Sequence, residues 1–86
     1  ALEAGAKMAI AMLMQNIMLL AKAQGMDTCP QASWNDYHQI IMPILEADED
    51  EQLICGMSLG YADTADKINH YLTSREDVDH FATFLK

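Results

Sequence analysis

Five residues belong to the types that most often bind metals or act as nucleophiles, and they are scattered: His38, His70, His80, Cys29 and Cys55. None stands in a C-x-x-C or H-E-x-x-H pattern, which metal ligands close in sequence usually form. Cys29 is expected just after a helix C-terminus, where the helix dipole does not stabilise a thiolate. Cys55 is expected on the apolar face of a strand, as a small hydrophobic residue. The sequence therefore predicts neither a metal site nor a cysteine nucleophile.

The chain contains one arginine, Arg75, in the run Thr73-Ser74-Arg75 at the expected start of the last helix. A helix N-terminus together with a guanidinium group can bind a phosphate. A lone arginine is more often a surface charge, so Arg75 indicates a phosphate site only in combination with other features.

Residues 46–51 hold five acids in six positions. A calcium-binding loop requires a glycine at its sharp turn and a spaced acid that closes the site, and this run has neither. We therefore expect a solvated turn.

The composition is that of a small acidic globular chain, with 86 residues, a formal net charge of −8 and 51% hydrophobic residues. This hydrophobic share excludes a disordered tail, and four glycines and two prolines exclude a fibrous sequence. The negative charge argues against nucleic acid or an anionic membrane as a partner. Two cysteines are too few for a disulfide-stapled mini-protein. Because no basic-then-apolar leader opens the sequence, we expect a reducing, cytoplasmic setting.

A long helix is predicted over about residues 5–24, where strong helix formers run without proline until Gly25 can end the helix. Between Met8 and Ala21 the only polar residues are an adjacent Gln-Asn pair. A helix that is apolar on nearly every side is expected to be buried on nearly every side. The apolar run is short for a membrane span and contains that polar pair. We therefore expect protein around this helix, from an oligomer or from a missing part of the parent chain, and no membrane.

Shorter elements are predicted to follow: a loop over residues 25–32, a helix over about 34–46 capped by Ser33 and kinked at Pro43, a strand over about 52–60, and a last helix over about 75–85. The strand shows a period of two, and one of its faces is reduced to Gly56, Ser58 and Gly60. Such a bare face indicates the close approach of a helix, another backbone or a flat ligand, of which a helix is the commonest. The predicted class is α+β, mostly helical with one strand, whose pairing partners are expected outside this chain or in a second copy.

Three stretches resemble, in the family's order, the C-terminal half of the nitroreductase family: AMLMQNIMLLAKAQGMDTCPQASW (11–34), LICGMSLGYAD (53–63) and TSR (73–75). Members of this family are flavoproteins that bind FMN and form intertwined homodimers, so the resemblance implies a homodimer or oligomer. The long apolar helix resembles the central helix of the family's dimer core. The strand resembles one member of a sheet whose other strands belong to an N-terminal half that this sequence lacks.

The resemblance also implies a cofactor site. Pro30, Gln31, Ala32 and Ser33 match the family segment whose backbone faces the flavin ring near its reactive nitrogen, and Arg75 matches the late basic residue that binds the FMN phosphate. The implied electron donor is NAD(P)H, and the implied acceptors are nitroaromatics, quinones or similar compounds. The family's N-terminal phosphate-binding segment has no counterpart here, so the chain alone is expected to bind FMN poorly and to be inactive.

A second hypothesis comes from another class of protein. The unbroken apolar surface of the first helix is also typical of a stand-alone helical module that self-associates without a cofactor. The two hypotheses differ in what they expect of flavin: the enzyme takes up FMN once its remaining part is present, whereas the module does not.

Overall fold

The computed structural model describes residues 2–86, and side chains from residue 3 onward. The order of elements is helix α1 (Leu2–Ala23), strand β1 (Asp27–Gln31), a 3-10 helix (Ala32–Tyr37), helix α2 (His38–Ile44), strand β2 (Gly56–Gly60), a second 3-10 helix (Lys67–His70) and helix α3 (Val78–Phe81).

Helix α1 ends in a hydrogen-bonded C-terminal turn built around Gly25. The Gly25 N–H donates to the Lys22 carbonyl at 3.0 Å, and the Met26 N–H donates to the Ala21 carbonyl at 2.9 Å. Gly25 has a φ of 82°, a left-handed conformation that side chains with a Cβ rarely adopt. The turn directs the chain straight into β1, so the end of α1 fixes where the sheet begins.

The sheet has two antiparallel strands where the sequence predicted one. Strand β2 is shorter than the predicted 52–60, and β1 lies inside the segment that was predicted as a loop. The register pairs Asp27 with Gly60, Cys29 with Ser58, and Gln31 with Gly56. A proline is tolerated in β1 because both strands of a two-stranded sheet are edge strands. The pairing partner of the predicted strand is therefore supplied from within the chain.

The predicted helix over 34–46 is replaced by two shorter elements. A 3-10 helix begins at Ala32, so Ser33 lies inside a helix and is not its N-cap. Helix α2 contains Pro43 and ends one residue later, at Ile44, so the chain leaves the helix at the proline and does not continue through a kink. The helix is closed by a C-terminal turn in which the Glu46 N–H donates to the Pro43 carbonyl and the Ala47 N–H donates to the Met42 carbonyl, both at 3.1 Å. Glu46 adopts the left-handed conformation of such turns, with a φ of 55°.

The C-terminal helix predicted over 75–85 is limited to the single turn of α3. Ala82, directly after it, has extended backbone angles with φ −118° and ψ 139°. Three of the apolar residues that suggested a longer helix are exposed, Val78 at 52%, Phe81 at 68% and Leu85 at 94%. Short helices need tertiary packing to persist, which is why the sequence period alone gave too long a helix.

The apolar core of the described residues is very small. Ala21 is the one buried hydrophobic residue among them, at 6% exposure. The accessible surface is 8001 Å², against about 5,100 Å² expected for a compact monomer of this mass. The Cα radius of gyration is 16.7 Å, against about 12 Å expected for a compact chain of this length. The structure is thus open and leaves much apolar surface uncovered.

Helix α1 carries a large part of that uncovered surface. Its burial was expected from an oligomer or from a further part of the parent chain, and this stays a prediction. Within the chain it packs through one face, on which Met14, Met18 and Ala21 are less exposed than their neighbours. Glu3–Ala23 is long and apolar enough to cross a membrane, with a mean hydropathy of 1.4, although core helices of soluble proteins meet the same criterion. The chain by itself does not supply the surroundings that this helix requires.

Candidate functional site

The four residues predicted to face a flavin form the junction between β1 and the first 3-10 helix. Pro30 and Gln31 are the last two residues of the strand, and Ala32 and Ser33 are the first two of the 3-10 helix. The backbone N–H groups at the beginning of a helix have no partner within the helix. The side chain of Gln31, in the N-cap position, makes no capping hydrogen bond to them. This junction can therefore offer backbone donors to an external acceptor, which fits a flavin ring nitrogen.

Trp34 packs directly on β2, over Gly56. A Cβ added to Gly56 would lie 2.7 Å from Cγ of the indole and closer still to two further ring atoms, a spacing that real Cβ atoms do not show. The close approach indicated by the small face of the strand is therefore made by a side chain from the adjacent 3-10 helix. At Gly60, on the same face, an added Cβ would meet nothing within 4 Å. The close approach is local to Gly56.

Side-chain hydrogen bonds connect the first 3-10 helix to the sheet. The Oε1 atom of Gln31 accepts from Trp34 Nε1 at 3.2 Å and from Ser58 Oγ at 3.3 Å. The amide Nδ2 of Asn35 donates to the carbonyl of Ile54 at 2.6 Å. These bonds, together with the contact of the indole on Gly56, hold the junction of residues 30–33 in one position on the sheet.

Two open clefts flank this region. One has a volume of about 290 Å³ and is lined by Ser33, Trp34, Tyr37 and Ile41. The other, of about 250 Å³, lies at the opposite end of the sheet, where Asp27, Leu59 and Tyr61 contribute to its lining. The first cleft has aromatic walls and adjoins the predicted flavin-facing segment, whereas the second contains none of the predicted site residues.

Arg75 does not occupy the helix start predicted for it. It lies three residues before α3, in an exposed segment without regular secondary structure. Its Nη1 atom donates to Thr73 Oγ1 at 2.7 Å and to the Ser74 carbonyl at 3.0 Å. A guanidinium has five N–H donors, so these local bonds leave donors for a phosphate. The residue therefore fits a phosphate ligand through its charge and exposure, without a helix dipole to assist it.

The described clefts do not bring Arg75 together with the segment of residues 30–33. Pro30, Gln31, Ala32 and Ser33 are contiguous and are held against the sheet, whereas the Arg75 guanidinium forms hydrogen bonds with Thr73 and Ser74. The described residues thus include a backbone edge and a single cation that fit an FMN site.

The residues considered for metal or nucleophile chemistry remain dispersed. Over residues 2–86 no group of three His, Cys, Asp or Glu side chains is placed to hold a metal ion. Cys29 is exposed, and the half-buried Cys55 contacts Met14, with 3.7 Å between the two sulfurs. His70 Nε2 lies 2.7 Å from the Thr64 carbonyl, and His80 pairs with Glu76 one turn away. These histidines bind local partners.

An ion pair links the end of α1 to the start of the sheet. Lys22 Nζ donates to Asp27 Oδ1 at 2.8 Å. This hydrogen bond, together with the positive charge of Lys22, lowers the pKa of the Asp27 carboxyl below its ordinary value. Both side chains are substantially exposed, so the pair adds little to stability and mainly favours the orientation of the turn around Gly25.

Trp34 and Asn35 are the site-supporting residues that the sequence analysis missed. Their roles depend on β1 pairing with β2, which brings Gln31 opposite Gly56. The one available sequence signal was the glycine-bearing strand face, which indicated a close approach without identifying the group that makes it.

The chain is similar to known proteins over most of its length. The Nitroreductase family profile matches residues 2–61. Over 72 residues the chain is 42% identical to the chloronitrobenzene nitroreductase of Comamonas testosteroni, a stretch that covers 84% of this chain and 32% of that protein. Over 74 residues it is 36% identical to the 4-nitrobenzoate reductase of Pseudomonas putida, covering 86% of this chain and 33% of that protein.

A solved structure shows the same fold. The FMN- and NADPH-dependent nitroreductase NfnB from Sphigopyxis sp. strain HMH superposes with a TM-score of 0.84 at 27% identity, over 90% of this chain and 34% of that one. The chain therefore spans about a third of the length of these relatives. The α+β class and the likeness to part of the nitroreductase fold are confirmed, and the chain belongs to the nitroreductase family.

Proposed function

We propose that the complete protein is an FMN-dependent NAD(P)H oxidoreductase that reduces nitroaromatics, quinones or similar acceptors, and that residues 1–86 supply part of its flavin site and part of its dimer core. The observation that carries the proposal is the junction of residues 30–33, held on the sheet within the stretch that matches the family. Relatives named for the reduction of chloronitrobenzene and 4-nitrobenzoate support the acceptor class.

The junction would contribute backbone hydrogen bonds to the flavin ring. Bound FMN would supply the redox chemistry, taking a hydride from NAD(P)H and passing reducing equivalents to the acceptor. Ala32 and Ser33 would donate from the uncapped start of the 3-10 helix, where backbone donors lack helical partners. A donor at this position stabilises electron density on the ring and so tunes its reactivity. The aromatic cleft beside Ser33 offers an apolar wall next to that position.

Arg75 would bind the phosphate of FMN. Charge-assisted hydrogen bonds between a guanidinium and a phosphate are about twice as strong as neutral ones. The chain carries five basic and thirteen acidic residues. A single arginine in so acidic a chain is a weak anchor, and this supports a phosphate site completed by basic groups outside residues 1–86. We therefore expect little binding of FMN by the chain alone.

The uncovered apolar surface supports a dimer and a further part of the parent protein as partners. The accessible surface of 8001 Å² exceeds the value expected for a compact monomer by about 2,900 Å². Obligate interfaces bury about 2,000–5,000 Å² in total, which is about 1,000–2,500 Å² per partner, so an excess of this size on one chain suits an intertwined assembly better than a transient contact. Within this proposal α1 is covered by protein, the enzyme acts in the cytoplasm, and nucleic acid is not a partner.

The test uses the complete protein, meaning the product of its whole reading frame, purified with FMN present. We expect a yellow protein with flavin absorbance at close to one FMN per protomer, which oxidises NADH or NADPH in the presence of 4-nitrobenzoate. A colourless protein that sediments as a stable oligomer and takes up no flavin would contradict the enzyme and support the self-associating module. The same experiment thus separates the two classes of function.

A further inference from the structure

The side chain of Gln31 occupies the centre of the junction between β1 and the first 3-10 helix. Its Oε1 atom accepts two hydrogen bonds, one from Trp34 Nε1 at 3.2 Å and one from Ser58 Oγ at 3.3 Å. Gln31 itself is half-buried, whereas Trp34 and Ser58 are more exposed. One carboxamide oxygen therefore joins the end of β1, the 3-10 helix and β2.

The indole that Gln31 binds has little freedom to move toward the sheet. Its ring lies on Gly56 so closely that even a methyl group there would overlap it. Trp34 is 42% exposed and lines the open aromatic cleft. The hydrogen bond that the indole Nε1 donates to Gln31 is thus the directional contact that keeps the indole on the glycine.

Only Ala32 and Ser33 separate Gln31 from Trp34. Gln31 is fixed by its pairing with Gly56 in the sheet, and Trp34 is fixed by the indole contacts. A two-residue link between two fixed residues has few alternative conformations, so the directions of its backbone N–H groups depend on both anchors. Releasing the indole would free one end of the link.

We infer that Gln31 is a positioning residue whose carboxamide oxygen holds Trp34 on Gly56 and thereby orients the backbone N–H groups of Ala32 and Ser33 toward the flavin. The inference rests on the proposed function for its flavin part. Its structural part, the position of the Trp34 indole, is independent of any cofactor.

The test compares Gln31→Met and Gln31→Glu with wild type in the complete protein. Methionine keeps the length of the side chain and removes the oxygen, whereas glutamate keeps an oxygen acceptor. The first readout is the ¹⁵N-indole resonance of Trp34, assigned by its loss in Trp34→Phe and recorded without flavin. The second is the Kd for FMN together with the midpoint potential of the bound flavin.

We expect Gln31→Met to shift the indole resonance upfield, to raise the Kd for FMN about fivefold and to change the midpoint potential. We expect Gln31→Glu to restore the indole resonance toward wild type. An unchanged indole resonance in Gln31→Met would overturn the inference, and so would a shifted resonance with unchanged FMN affinity and potential. If wild type takes up no FMN, the proposed function fails, and the indole resonance alone then decides whether Gln31 positions this segment.

Discussion

Residues 2–61 and residues 63–86 are held together in different ways. In the first region, contacts join residues far apart in sequence: Met14 with Cys55, Gln31 with Ser58, and Asn35 with Ile54. In the second region, the hydrogen bonds of the described residues are local, and the longest, from Asn69 to Asp63 and between His70 and Thr64, span six positions. The family profile matches the first region and ends at residue 61.

This difference shows that regular structure follows non-local contacts in this chain. The first region contains both strands, and Trp34 packs on one of them at Gly56. In the second region, Val78, Phe81 and Leu85 have helical spacing but remain exposed, and α3 forms only one helical turn. Arg75 lies in the second region, which has little regular secondary structure, and yet the proposal assigns it a contact with the cofactor.

The largest expected effect concerns the contact of Arg75 with FMN. Replacing Arg75 with alanine in the complete protein should weaken FMN binding by about 1.5–3 kcal/mol, or roughly 10- to 150-fold in Kd, because a charge-assisted phosphate contact is lost. Equilibrium titration followed by flavin fluorescence measures this change. Arg75→Lys is the matched control, because lysine keeps the positive charge but lacks the planar guanidinium group. Its Kd for FMN should lie between those of wild type and Arg75→Ala. An unchanged Kd in Arg75→Ala would remove the second region from the site.

A smaller effect is expected in the first region at Gly56. Gly56→Ala places a Cβ against the Trp34 indole and should lower the free energy of unfolding by about 2 kcal/mol through overpacking. Gly60→Ala is the matched control on the same strand, because an added Cβ there meets nothing within 4 Å. Urea unfolding of the complete protein measures both. Equal effects of the two substitutions would contradict the packing of Trp34 on β2.

A substitution in the turn that joins α1 to β1 should change the free energy of unfolding by less than Gly56→Ala does. Gly25→Ala forces a Cβ into a backbone with φ 82° and should cost about 1 kcal/mol. Gly5→Ala, in α1, should instead stabilise the protein by up to about 1 kcal/mol, since alanine is the better helix former and the position is open. Opposite signs in urea unfolding are the expected result. A stabilising Gly25→Ala would show that α1 does not enter the sheet through this turn.

The smallest effect concerns Asp27. Lys22 lowers the pKa of its carboxyl in the folded protein, so the pair contributes stability above the unfolded pKa of about 3.9, and this contribution is lost as the pH falls through the lower folded pKa. Lys22→Met should return the pKa of Asp27 toward its ordinary value, as followed by ¹³C carboxyl NMR from pH 2 to 6. Lys7→Met is the control, because Lys7 pairs with Glu3. An equal shift in both variants would show that the link between α1 and β1 is absent.

The sequence predicted the elements that show a helix or strand pattern in their own residues. Helix α1 follows from an uninterrupted run of helix formers ended by Gly25, and β2 follows from an alternation of bulky and small residues. The face of small residues even indicated a close contact, which Trp34 makes on Gly56.

The remaining elements depend on contacts that no local pattern shows. Strand β1 contains Asp27 and Pro30, two residue types that are depleted in strands, and it becomes a strand because it pairs with a segment more than twenty residues later. The helical spacing of apolar residues predicted a helix over 75–85, but the structure forms only the turn of α3, because Phe81 and Leu85 remain exposed and lack the packing that would stabilise a longer helix. The flavin-facing residues were assigned from the family resemblance. They would bind through backbone N–H groups, which nearly every residue type has, so no residue type identifies them.

The most direct measurement is a crystal structure of the complete protein with FMN bound. The account predicts that a backbone N–H of Ala32 or Ser33 lies within hydrogen-bonding distance of the flavin ring, that Arg75 contacts the phosphate, and that α1 is covered by protein. A flavin bound away from residues 30–33, with Arg75 still folded onto Thr73, would contradict it.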